Sequence, residues 1–129
     1  MKKEKFGSDS KWEDIVGYSR AIRIGNQIEI SGTVAVDEDN ILHGEGNAYE
    51  QTCYILKKII SYVERAGGTR DDIIRTRIFV TDISKWEEIG KAHGEIFAEI
   101  KPATSMIEIK SLIGKEYLVE IEASAVISE

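Results

Sequence analysis

Apolar positions along this chain switch between a two-residue and a three-to-four-residue period, and the switches predict the elements. Ala21 to Ile24 and Gln27 to Gly32 flank Gly25-Asn26, where glycine accepts the positive φ of a two-residue hairpin turn. Thr33 to Val36 extends the second strand, and a polar loop rich in Asp, Glu, Asn and Gly follows over 37–46. Asn47 suits a helix N-cap, Glu50 completes something close to a capping box, and Gly67-Gly68 ends the helix. Within it Tyr49, Thr52, Cys53, Leu56, Ile59, Ile60 and Val63 form one stripe, with Lys57, Lys58, Glu64 and Arg65 left to water. Ile73 to Val80 alternates, setting Ile74, Thr76, Ile78 and Val80 on one face against Arg75, Arg77 and Phe79 on the other.

Ser84 to Glu87 reads as a capping box for a second helix, whose core face carries Trp86, Ile89, Gly90, His93, Ile96 and Phe97. Pro102 disfavours helix at Lys101, after which Ala103 to Ile109 and Tyr117 to Ile127 read as strands. Residues ahead of Ala21 show no such period and read as a polar segment. The order ββαβαββ predicts an α+β fold, one sheet covered on one face by two helices, as a single domain over 1–129.

Composition narrows the picture. With 129 residues, 31% charged and 42% hydrophobic, the chain is long enough to bury a core and too apolar for disorder. A net charge of -6 argues against a nucleic-acid partner, because Arg70, Arg75 and Arg77 are interrupted by Asp71 and Asp72. No run is long enough to span a membrane, and the basic opening lacks the apolar core of a signal peptide, so a cytoplasmic protein with no membrane partner is expected. One cysteine permits no internal disulfide, and the stripe predicts a buried, unreactive Cys53. His43 and His93 are far apart and have no Cys or paired carboxylate at ligand spacing, so neither metal nor other cofactor is expected.

Short motifs along nearly the whole chain carry a resemblance. They are Gly17-Tyr18-Ser19-Arg20-Ala21, Ser31 to Val36, Ala66-Gly67-Gly68, Arg75 to Asp82, Pro102 to Ile109 and Tyr117 to Ala123. In this order they resemble the reactive intermediate deaminase (Rid, YjgF-type) family. The resemblance implies a chorismate-mutase-like fold, a homotrimer and ligand clefts between subunits. It further implies Glu120 as the catalytic residue that orients a hydrolytic water, with Tyr18, Ser31, Thr104 and Met106 around a small-molecule ligand.

Deaminating members carry arginine after Pro-Ala, where it clamps the substrate carboxylate; here that residue is Thr104, and Met106 and Gly90 stand where cysteine and asparagine are frequent. The chain thus resembles arginine-lacking members. A threonine hydroxyl cannot reproduce a bidentate, charge-assisted clamp. Three functions remain open: binding or hydrolysis of a small ligand lacking a free carboxylate, 2-imino acid deamination with Arg20, Arg23 or Arg77 as substitute clamp, and a non-catalytic regulatory or RNA-related module. On its helix face His93 reads as a core histidine, with a general-base role open.

Overall fold

The computed structural model describes residues 1–128. Its single six-stranded sheet runs β1-β2-β3-β6-β4-β5, formed by β1 (Lys3–Phe6), β2 (Ala21–Ile24), β3 (Gln27–Thr33), β4 (Ile73–Val80), β5 (Ala103–Glu108) and β6 (Val119–Val126). All neighbours are antiparallel except β4 and β5, which are parallel. The helices are α1 (Lys11–Val16), α2 (Ala48–Arg65) and α3 (Trp86–Phe97). The expected ββαβαββ order is present, preceded by β1 and α1, where the sequence reads only as a polar segment. Strand β1 has an exposed burial pattern and gains its order by pairing with β2, a contact that no local period announces.

Local chemistry places the turns and helix ends. Gly25 takes φ 58° in the β2–β3 hairpin. Asn47 accepts from the Glu50 amide at 3.0 Å, starting α2. At its end Gly67 adopts φ 101°, the Gly67 amide donates to Glu64 O, and the Gly68 amide donates to Val63 O at 2.9 Å, a Schellman ending.

The core lies between α2 and the middle of the sheet. Ile55, Leu56, Ile59 and Val63 are fully buried, as are Ile28 on β3 and Val119, Ile121 and Ala125 on β6. Gln51 is buried among them without penalty because every polar end is used: Nε2 donates to Gly44 O and Glu116 O, and Oε1 accepts from the Leu118 amide at 2.9 Å. It ties the start of α2 to the entry of β6.

Several sequence expectations fail at element margins. β3 ends at Thr33 after a register shift from Ile30, so 34–36 does not extend it; Val36 makes only an isolated bridge to Leu42. A second shift between Ile73 and Arg75 buries Ile73 and turns Ile74 out, 52% exposed. Asp82, not Ser84, does the capping: its carboxylate accepts from the Ser84 amide ahead of a 3-10 turn, and α3 begins only at Trp86. Trp86 itself is 55% exposed rather than core: it is the first residue of α3, and burial on that face begins one turn later, at Ile89. Cys53 sits at the flank of the α2 stripe, half-exposed over a hollow it shares with His43, Tyr49 and Tyr54, because Ile55 takes the buried place.

Candidate functional site

Helices cover one face of the sheet, and the other face carries a polar row. On β6 the buried Val119, Ile121, Ala123 and Ala125 alternate with half-buried Glu120, Glu122 and Ser124. From the neighbouring strands Glu29 accepts from Ser124 Oγ at 2.6 Å, and Arg77 pairs with Glu122 at 3.4 Å.

One end of this open face gathers three of the expected site residues. α1 is capped by Ser10 and closes on Gly17 at φ 89°, after which the Tyr18 amide donates to Glu13 O at 3.0 Å, fixing where Tyr18 leaves the helix. Ser31 Oγ donates to Ser19 O at 2.6 Å, so its hydroxyl binds this segment to β3. Arg20 lies over the Tyr18 ring at 5.4 Å and donates through Nη2 to Gly32 O at 2.6 Å. Glu120 arrives from β6 at the same glycine: a Cβ on Gly32 would stand 2.5 Å from Glu120 Oε2, so only glycine lets the carboxyl lie there.

Charges at this corner are incompletely matched. Burial raises the Glu120 carboxyl above its ordinary value, Arg20 pulls it back down, and Glu122 pushes it up again. Arg20 Nε is buried and has no hydrogen-bond partner. A basin of about 680 Å3 opens beside Tyr18, Ser19, Ser31, Glu29 and Lys5. Its lining does not reach Glu120, which converges with Arg20 on Gly32 instead.

Thr104 and Met106 lie elsewhere. They sit on the edge strand β5, in parallel register with Thr76 and Ile78, and therefore share the helix-covered face. Thr104 is exposed at that edge, whereas Met106 is half-buried against the core. Thr104 Oγ1 is 2.8 Å from Thr76 Oγ1, which is 2.9 Å from His93 Nε2. Between this group and Glu120 stand β4 and a change of face, so a single chain does not bring the expected residues together.

The sequence names Arg20 as a substitute clamp and sets Thr76 on the strand face of Ile78 and Val80, but it does not say which groups either one meets. Counting outward from Gly25-Asn26 would have placed Arg20, since Ala21 pairs with Ile30 and the Ser31 amide donates to Arg20 O. Of the other clamp candidates, Arg23 is spent on Gly25 O and Ala66 O, and Arg77 on Glu122. Among the described residues no three His, Cys, Asp or Glu side chains form a metal-ligand group, and no helix is long and apolar enough to cross a membrane.

Comparison with known proteins gives a consistent answer. The family model described as Endoribonuclease L-PSP matches residues 9–127. A RutC family protein of Pyrococcus abyssi is 30% identical over 125 residues, covering 97% of this chain and 98% of that one. Among solved structures, Rv2704 of Mycobacterium tuberculosis, a YjgF/YER057c/UK114 family member, superposes with TM-score 0.88 at 40% identity, over 98% of this chain and 100% of that one. YyfA of Yersinia pestis, described as a conserved Rid family protein of unknown function, gives TM-score 0.85 at 31% identity over 98% and 100%.

Proposed function

The chain belongs to the endoribonuclease L-PSP family, which takes in YjgF-, RutC- and Rid-type proteins, and from that premise we propose a small-metabolite cleft protein that uses Glu120 to orient water against a C=N or C=O carbon. The observation that carries this reading is the half-buried Glu120 carboxyl, raised by burial and set at Gly32 beside Tyr18, Arg20 and Ser31. A carboxyl lifted toward neutrality takes a proton from water and returns it to a leaving nitrogen more readily than an ordinary surface glutamate. No cofactor is required by this scheme.

The working unit is a homotrimer in this proposal, with Thr104 and Met106 of one copy closing the Glu120 corner of the next. Two features support it: the expected site residues occupy opposite faces of a single chain, and the sheet face bearing Arg75, Arg77, Phe79, Glu120 and Glu122 has no helix over it. Light scattering should give three times the chain mass; a monomer at micromolar concentration removes the arrangement.

Thr104 argues against an ordinary 2-imino acid. A desolvated carboxylate without a paired cation faces several kcal/mol of cost, by order of magnitude, that one hydroxyl cannot offset. Ammonia release from an amino-acid-derived imine generated in place should therefore be low for the wild type and rise in Thr104→Arg. It should fall again when Glu120→Ala is added. Wild-type release equal to that of an arginine-bearing relative would overturn this point.

That last outcome would favour a second reading, deamination with Arg20 as the clamp. Its support is specific: the Arg20 guanidinium has an unpartnered Nε and lies at the Glu120 corner. In that case Arg20→Gln should abolish release that Arg20→Lys partly keeps. The ribonuclease reading carried by the family description has less support, since the net charge is -6 and Glu122 already pairs with Arg77 on the open face.

A further inference from the structure

Three side chains from three elements form an unbroken line on the covered side of the sheet edge. His93 Nε2 on α3 lies 2.9 Å from Thr76 Oγ1 on β4, which lies 2.8 Å from Thr104 Oγ1 on β5, and Thr104 Oγ1 reaches the Pro102 carbonyl at 3.2 Å. A carbonyl has no hydrogen to give, so Thr104 must donate to it. A hydroxyl owns a single hydrogen. Having spent its own on Pro102, Thr104 accepts from Thr76, and Thr76 in turn accepts from His93. The line therefore runs outward and begins at a ring nitrogen that bears a proton. Burial holds His93 toward its neutral form, and the causes of that shift include no charged neighbour. The neutral ring with its proton on Nε2 meets both conditions.

The outer link is the weak one. Thr76 is fully buried, so the two inner bonds are shielded from water, whereas Thr104 is exposed and its bond to Pro102 is the longest of the three. An acceptor arriving from outside can replace the Pro102 carbonyl without disturbing Thr76 or His93.

We infer that His93 is a positioning residue which, through Thr76, keeps the exposed Thr104 hydroxyl a hydrogen-bond donor, so that position 104 receives a neutral acceptor atom, a carbonyl oxygen or an imine nitrogen. The ligand class rests on the cleft proposed above; the direction of the line does not. An anionic oxygen would find one donor there and no charge behind it, since a neutral imidazole ends the line.

Nitrogen NMR of the imidazole rings in the intact protein tests the line without any ligand. His43, engaged with Asp37 and stacked on Tyr54, is the internal reference. Wild-type His93 should show a protonated Nε2 and a bare Nδ1. In Thr104→Val the Thr76 hydrogen loses its acceptor and turns back toward Nε2, so the proton of His93 should move to Nδ1, while Thr104→Ser should keep the wild-type pattern and His43 should not change. A wild-type ring protonated on Nδ1, or an Nε2 proton indifferent to Thr104→Val, overturns the inference. The ligand class is read by adding propionamide or propionate in large excess and following the Thr104 methyl signal. A shift with propionamide and not with propionate is expected; the reverse, an equal response or none at all removes the neutral-acceptor assignment. These arms fail separately from the Glu120 hydrolysis scheme, because none of them measures turnover.

Discussion

At the open-face corner Glu120 and Arg20 meet at Gly32 without forming an ion pair, whereas at the covered corner Thr104, Thr76 and His93 share hydrogens and carry no formal charge. Burial acts on both, in opposite titration directions: it raises the Glu120 carboxyl and lowers His93, in each case toward the neutral form. The difference lies in what opposes it. Arg20 keeps a cation beside Glu120 and pulls that carboxyl back toward its charged form, while nothing charged acts on His93 and its hydrogen bonds run in one direction. The proposed function accordingly assigns proton transfer to the first corner and recognition of a fixed polarity to the second.

The largest test concerns the scaffold common to both corners. Ile121 is fully buried on β6, with Ile78 of β4 and Thr33 of β3 as cross-strand partners. Ile121→Ala should cost about 2–5 kcal/mol in denaturant unfolding. A loss under about 1 kcal/mol would mean that the core relaxes around the cavity and that the corners do not depend on this strut.

Thr76→Val should separate the corners. It removes both bonds of a buried hydroxyl and strands the His93 nitrogen, for a cost of about 1–3 kcal/mol. The titration of Glu120 followed by NMR should not move. A change there would show that the two corners are coupled through β6 and would end their treatment as independent.

The smallest effects are in the pH dependence, and they differ in sign. The folded value of Glu120 is raised, so its contribution is complete below the ordinary 4.5 and is lost as pH rises through the higher folded value. Glu120→Gln should therefore stabilise the protein at neutral pH and have little effect in acid. The folded value of His93 is lowered, so its contribution is complete above the ordinary 6.5 and is lost as pH falls through the lower folded value. His93→Gln should flatten that acid limb. Melting temperatures across pH 4 to 8 read both, with shifts corresponding to about 1 kcal/mol or less. Limbs of the same sign would contradict the comparison.

How far the sequence carried each corner follows from the distance over which its contacts act. The β2–β3 hairpin was legible because Gly25-Asn26 sets the register locally, and α2 because Asn47 and Gly67 mark its ends. Glu120 and its polar face were legible from two-residue alternation on β6. The Thr104 face was not. β5 pairs in parallel with β4 across a whole helix, and no local period says which face a strand at the sheet edge presents. Cys53 and Trp86 depart from expectation for a related reason: a helical stripe has flanks and ends, and only the sheet packed against it decides which positions are covered.

The central claim is that the two corners meet only across copies of the chain, and mixed assemblies test it most directly. The wild type keeps Glu120 and lacks an arginine at 104; the double variant Thr104→Arg with Glu120→Ala has the reverse pair. Each alone should release little ammonia from an imino acid generated in place. Produced together in one cell, they should form mixed assemblies in which the introduced arginine of one copy faces the intact Glu120 of another, and ammonia release should appear. A mixture as inactive as its components, measured beside an active Thr104→Arg protein, would place the whole site within one chain and contradict the account.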